Sequence, residues 1–296
     1  MKAGVQFTYL SRPELRAKLL QMGIILSLYL IDKLLSQLGL SQRKLSKSGT
    51  YKQVQGRNEQ FEYLAHLVED YQQAGHVIIS IDAKKKEQLG QFYRAGKVYC
   101  DGSVVCNDHD FASQGTGKVA PFGIYDGQLN EGYLFLGQSA DTSDFAADCV
   151  YEYIKSYMLR RYPQARQMLI LCDSGGSNGY RQHRFKELVQ WIADCTGLTI
   201  RVAHYPSYCS KYNPCDHRLF PHVTRAWSGV ILDSVELMRD LVKSRAKTAT
   251  GLNVFVRQVK KEYYTGVKAT KDFLDNYPII HDTLLPQWNY WAIPNN

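Results

Sequence analysis

The stretch His76–Lys86, HVIISIDAKKK, decides how the rest of the chain is read. From Val77 to Ile81 only Ser80 interrupts the apolar run, the pattern expected of a strand covered on both faces. The run ends at an acid, Asp82. A second run of the same form, QMLILCDSGGSNGY (Gln167–Tyr180), also ends at an acid, Asp173, ahead of a glycine-rich turn. Each carboxylate therefore stands where a buried strand emerges, at a sheet edge where ligands tend to gather. Parallel neighbouring strands would bring the two together.

Working outward, KVAPFGIYDG (Lys118–Gly127) and EGYLFLGQS (Glu131–Ser139) read as strands joined through a hairpin-type turn at Asp126 and Gly127. A long helix fits Asp141–Tyr162, capped by Thr142 or Asp141, with Phe145, Cys149, Ile154 and Met158 inward. Tyr180–Gly197 is an amphipathic helix, Leu198–Pro206 a strand, and NPCDHRLFPHVTRAW (Asn213–Trp227) a helix starting near Pro214. Three strands, helix, strand, helix, strand, helix imply a mixed sheet with helices on its faces. The aromatic, proline-rich tail Phe273–Asn296 is expected to pack against that domain.

Upstream the pattern is helical. Ser11 to Glu14 forms a capping box, with Gly23 placed to end the helix. A second helix runs from an N-cap at Ser27 to Gly39. The pair fits a helix-turn-helix and, equally, a generic helical hairpin. The apolar run Met22–Ile31 reads as buried helix. Ser41–Arg57, rich in Lys, Arg, Ser and Gly, suits a linker touching phosphates or a solvated loop, and helical spacing returns over Asn58–Gly75.

The 296 residues suffice for one large domain, or a medium one with an appendage. A hydrophobic share of 45%, without an uninterrupted apolar tract long enough to span a bilayer, points to a globular protein with no membrane segment. The N-terminus lacks the form of a secretory signal. Seven cysteines, an odd count without a CxxC pair, argue for reduced thiols and hence a cytoplasmic location. The formal charge of +8 favours a polyanionic partner without requiring one.

Two adjacent carboxylates repel and do not both stay ionised without a cation or a shared proton. Hard divalent ions meet that need, and a pair of magnesium ions can activate a nucleophile and stabilise a leaving oxygen in phosphodiester chemistry. Asp216, on the first turn of the helix after the last strand, is the candidate for a third ligand. Taken singly, each aspartate is equally a common strand-end or cap residue. His204, Cys209, Cys215 and His217 lack the close ligand spacing of a zinc site.

SIDAKKKEQLGQF, DHDFASQGTGKVAPFGIYDGQLNEGYLFLG, DTSDFA, LCDSGGSNGYR, HYPSYCSKYNPCDHRLFPHVTRAWSG and the closing QWNY together resemble the ISAzo-type, or Rhodopirellula-type, insertion-sequence DDE transposases from about Leu10 to the C-terminus. That resemblance implies an α/β fold: an RNase H-like mixed five-stranded sheet flanked by helices, behind a small N-terminal helix-turn-helix-like segment. Residues 1–58 would form the DNA-binding-like segment and linker, and 59–296 the catalytic domain with its C-terminal extension. It implies metal-dependent cutting and joining of double-stranded DNA at element terminal repeats and target sites. Asp82, Asp173 and Asp216 would be the catalytic residues and metal ligands, holding two Mg2+ or Mn2+ ions. Lys84, Lys85, Lys86, Ser177, Asn178, Lys211, His217 and Arg218 would contact DNA. A homodimer on DNA, associated with the nucleoid, is the expected assembly.

Two departures stand out. The family's third acid is usually glutamate, in a pattern like S-K-x-N-P-x-E-H-R-L-F, and here Asp216 fills it, retracting the carboxylate by about 1.5 Å. Family members also carry more helical DNA-binding sequence ahead of the point where this chain begins, which implies a truncated copy. The competing expectations are a decayed or truncated transposase that only binds DNA, and a nuclease directed at RNA on the same fold.

Overall fold

Serine caps and glycine stops shape Met1–Tyr51, the first of two units into which the computed structural model divides; the second is Lys52–Asn296. Residues 8–42, 54–109, 111–209 and 212–295 are described. In the first unit α1 (Arg12–Gln21) starts in the capping box of Ser11 and Glu14, and Gly23 ends it at φ +80°. Helix α2 (Leu28–Gln37) begins where the Ser27 hydroxyl accepts a hydrogen bond from Leu30 N at 3.2 Å. Arg12 and Asp32 pair at 2.8 Å between the helices. The run Met22–Ile31 is therefore not one buried helix: Gly23 and the Ser27 cap split it, and Ile25 is 83% exposed. Most of the proposed linker Ser41–Arg57 lies outside the described residues.

The second unit opens with α3 (Arg57–Gln73), whose Leu64, Leu67 and Tyr71 pack on the sheet. Strand β1 (Val77–Ala83) is central. Its Val77, Ile79 and Ile81 face a core built on α4 (Ser143–Tyr153), while Ile78 faces α3. Burial on both faces explains why the sequence shows no polar alternation there. β2 (Glu87–Leu89) pairs with β3 (Gly117–Asp126), and β3 pairs with both β1 and β4 (Glu131–Gly137), all antiparallel. After α4 the chain makes a π-helical turn, Ile154–Met158, and a last turn α5 (Leu159–Arg161). It then adds β5 (Gln167–Cys172) parallel to β1, α6 (His183–Thr196), and β6 (Thr199–His204) parallel to β5.

A π-helical turn, Cys215–Leu219, leads into α7 (Phe220–Ala226) and α8 (Val235–Arg245). These cover the other face of β3 and β4 through Leu219, Val223, Trp227 and Met238. The expected five strands, in the order β4-β3-β1-β5-β6, form the centre of a wider sheet. β7 (Asn253–Val259) adds parallel to β4 at one side. At the other, beyond α9 (Lys271–Asn276), β8 (Ile280–His281) and β9 (Asn289–Ala292) extend the sheet, with β9 antiparallel to β6. The C-terminal tail thus joins the sheet as well as packing on it. No described helix is long and apolar enough to cross a membrane.

Candidate active site

Register places the first two acids. β1 and β5 run parallel with Ile81 opposite Cys172, so the next residue along each chain is an aspartate, Asp82 on β1 and Asp173 just past β5. Side chains alternate along a strand, so residues in matching positions share a face. The third acid comes from a different layer. Asp216 sits in the first turn after Pro214, and buried Asn213 ties that turn to the strands. Asn213 Nδ2 donates to Ile81 O at 3.1 Å and to Asp173 Oδ1 at 3.2 Å. Asn213 Oδ1 accepts from Cys215 N at 3.1 Å, while Cys215 Sγ lies 3.2 Å from Ser80 O.

Burial and two neighbouring charges define the electrostatics. Burial first, then Asp173 and Asp216, push the Asp82 carboxyl up to about 8, against a 2.8 Å hydrogen bond from Ala83 N that favours the ionised form. Asp173 is raised by burial and by Asp216, with Asn213 opposing. Asp216 is raised by burial, with His217 opposing. Three carboxylates that hinder one another's ionisation are chemically suited to a hard divalent cation, whose charge would remove the conflict. The donor types fit, but the spacing is open. Among the described residues no three His, Cys, Asp or Glu stand together at metal-binding distance. Coordination by all three would need the Asp216 side chain or its turn to close on the other two.

A cavity of about 750 Å³ lies over the strand ends, lined by Asp82, Asp173, Asp141, Asn178, Tyr208 and their neighbours. Its rim is the turn from Asp173 to Gly179. A Cβ at Gly179 would stand 2.8 Å from Ser174 O, so that position requires glycine. Asn178 is 3% exposed; its carbonyl meets His204 Nε2 at 3.1 Å, and its Nδ2 has no hydrogen-bond partner among the described residues. The Ser177 hydroxyl donates to Asp141 Oδ1 at 3.0 Å, and the Ser143 hydroxyl donates to Ser177 O at 2.6 Å. The start of α4 is thereby laced to the turn.

The other expected DNA contacts are dispersed. Lys84 is half-buried and bonds Glu87 at 2.5 Å, Lys85 lines a second cavity together with Asp216, and exposed Lys86 lines neither. His217 and Arg218 are exposed outside both cavities, and Lys211 lies outside the described residues. His204 Nδ1 lies 3.0 Å from Trp288 O and its Nε2 3.1 Å from Asn178 O, so the single N–H of the neutral ring donates to one of these two carbonyls. Sequence reasoning missed Asn213, Asp141 as a cavity residue, and Tyr208, an exposed aromatic held at φ +63°. Asn213 did carry a signal, as the Asn of an Asn-Pro pair opening a helix. Tyr208 carried none.

The solved structure of the mariner Mos1 paired end complex with Mg is similar at 14% identity and a TM-score of 0.50, over 83% of this chain and 74% of that one. The Mos1 transposase paired-end complex with the left transposon end follows at 15% identity and a TM-score of 0.49, over 82% and 73%. No curated protein matches the sequence. The likeness to the first structure concerns the fold, which is RNase H-like. The whole sequence is more specific: residues 1–294 match the Rhodopirellula transposase DDE domain, and the chain belongs to that transposase family.

Proposed function

We propose that the chain cleaves and rejoins DNA at the ends of a mobile element, with Asp82, Asp173 and Asp216 as ligands for one or two Mg2+ or Mn2+ ions. The observation that carries this is the parallel β1–β5 register, which sets Asp82 beside Asp173, with Asn213 tethering the Asp216 turn to both strands. When bound, the ions would neutralise the carboxylates and stabilise charge on the attacking and leaving oxygens. In the first step water adds to a phosphodiester phosphorus as the bond to the 3′ oxygen breaks, leaving a 3′ hydroxyl and a 5′ phosphate. In the second, that hydroxyl attacks a target phosphodiester and one strand bond replaces another. Ser177 and Asn178, on the turn that rims the cavity, are the proposed DNA contacts of this edge. Lys85, Arg218 and the exposed Lys86 add phosphate-facing charge, and two copies on paired ends are the proposed assembly.

The test is nicking and joining of element-end DNA with Mg2+ or Mn2+. Activity in the wild type, lost in Asp82→Asn and Asp173→Asn while DNA binding survives, is expected. Inertness of both the wild type and Asp216→Glu overturns the proposal. Asp216, standing where the family's third acid is usually glutamate, favours a second reading, a DNA-binding protein without cleavage. Activity that appears only in Asp216→Glu would support it.

A further inference from the structure

Strand β7 closes one side of the sheet, and among the described residues no further strand pairs with its outer edge. A groove of about 540 Å³ runs along that edge. Five consecutive residues, 254–258, line it, and successive side chains of a strand point to opposite faces, so the groove straddles the edge rather than lying on one face. Its two banks differ. Val254 and Val256 pack towards α8, which brings Arg239 and Lys243 to that bank, while Phe255 packs towards the π-helical turn, where the Tyr157 ring stands 5.4 Å from its own. Arg257 and Lys260 join the lining, which holds four cations and no acid. Arg239 is paired with Asp240 at 2.8 Å, and Arg257 with Glu152. Exposed Lys243 and Lys260 form no ion pair among the described residues, so positive charge is left over.

A free edge presents main-chain N–H and C=O groups together, and another extended main chain satisfies both. The phosphate backbone of DNA brings acceptors only and would set its oxygens against the free carbonyls. The groove therefore fits a peptide better than a nucleic acid. Side chains of an added strand would alternate between the banks, meeting the cations of α8 on one side and half-buried Tyr157 and Phe255 on the other. We propose that the β7 edge is a docking site for an extended protein segment in which acidic and apolar residues alternate, bound as an additional strand. Strands β4 and β3 stand between β7 and β1, so the docked segment leaves the three aspartates free.

The probe is a fluorescein-labelled peptide, Glu-Val-Glu-Val-Glu-Val-Glu, matched in length to the seven residues of β7, titrated with the full chain and followed by anisotropy. Saturable binding is expected, weakened about three- to tenfold in each of Lys243→Glu and Lys260→Glu. Both positions are exposed, so the fold should hold in the variants. The same peptide N-methylated at every residue keeps the charge, loses its main-chain donors and should not bind. Amide hydrogen exchange at 254–258 should slow when the unmodified peptide is bound. No saturable binding, undiminished binding of the N-methylated peptide, unchanged affinity in both variants or unslowed exchange overturns the site. Mixed-sequence duplex DNA should fail to displace the peptide. Displacement, with duplex affinity falling in the same two variants, gives the groove to DNA and overturns the proposal.

Discussion

Asp216 is the residue on which activity turns. Its carboxylate is carried one methylene closer to the backbone than a glutamate's would be. Asp216→Glu, reaching about 1.5 Å further, is expected to raise the rate of divalent-dependent nicking; an unchanged or lower rate would show that the turn itself closes. Asn213 is the supporting case. Asn213→Ala strips buried partners from Ile81 O and Cys215 N, which should cost about 1–3 kcal/mol of stability. It should also weaken divalent-cation binding about 10–100-fold, as loss of a residue orienting a metal ligand does. Isothermal titration with Mn2+ beside urea melts separates the two effects, and a stability loss with intact Mn2+ affinity would make Asn213 purely structural.

At the scale of elements, α7 and the turn before it lie against β3 with little clearance. A Cβ at Gly123 would meet the Phe220 ring at 2.5 Å, and Leu219 at 3.1 Å. Gly123→Ala should therefore push the Asp216 turn outward and cut activity sharply while circular dichroism stays near wild type. Full activity in that variant would show that the turn tolerates the shift. The role of Gly123 could not be read from sequence, because a glycine within an apolar strand does not say what approaches it. The central strands were legible because two-sided burial leaves unbroken runs such as Val77–Ile81 and Met168–Cys172. Strand β7 was not, since NVFVRQV keeps several side chains in solvent and looks like ordinary polar sequence. The acids at 82 and 173 stood out because each ends a run, whereas Asp141 was hidden behind its equal suitability as a helix cap.

Across the whole molecule, the core supplies a pH dependence. His204 is fully buried between carbonyls, and burial pushes its imidazole down from 6.5 to about 4. A group depressed in the folded state leaves stability intact above about pH 6.5 and takes it away as pH falls towards 4. The slope over that window is about 1.4 kcal/mol per pH unit, some 3 kcal/mol in all. Urea denaturation at pH 7 and pH 5 should show the loss in the wild type and a smaller one in His204→Gln; identical losses would clear His204 of responsibility. The raised aspartates act with the opposite sign, gaining as pH falls, so only the difference between the two proteins isolates the histidine.

The parallel alignment of β1 with β5 also governs how copies of this gene can decay. A strand shows its two faces by turns, so gaining one codon within Val77–Ile81 would bring Ile81 to the place of Asp82 and turn the aspartate to the opposite face of the sheet, and a one-codon change within Met168–Cys172 would likewise displace Asp173. Such a lesion would unfold the scaffold together with its chemistry. Substitution of an acid alone would leave a folded, inert relic, so lineages that persist as silent binders should carry point changes at the carboxylates and intact spacing in both strands.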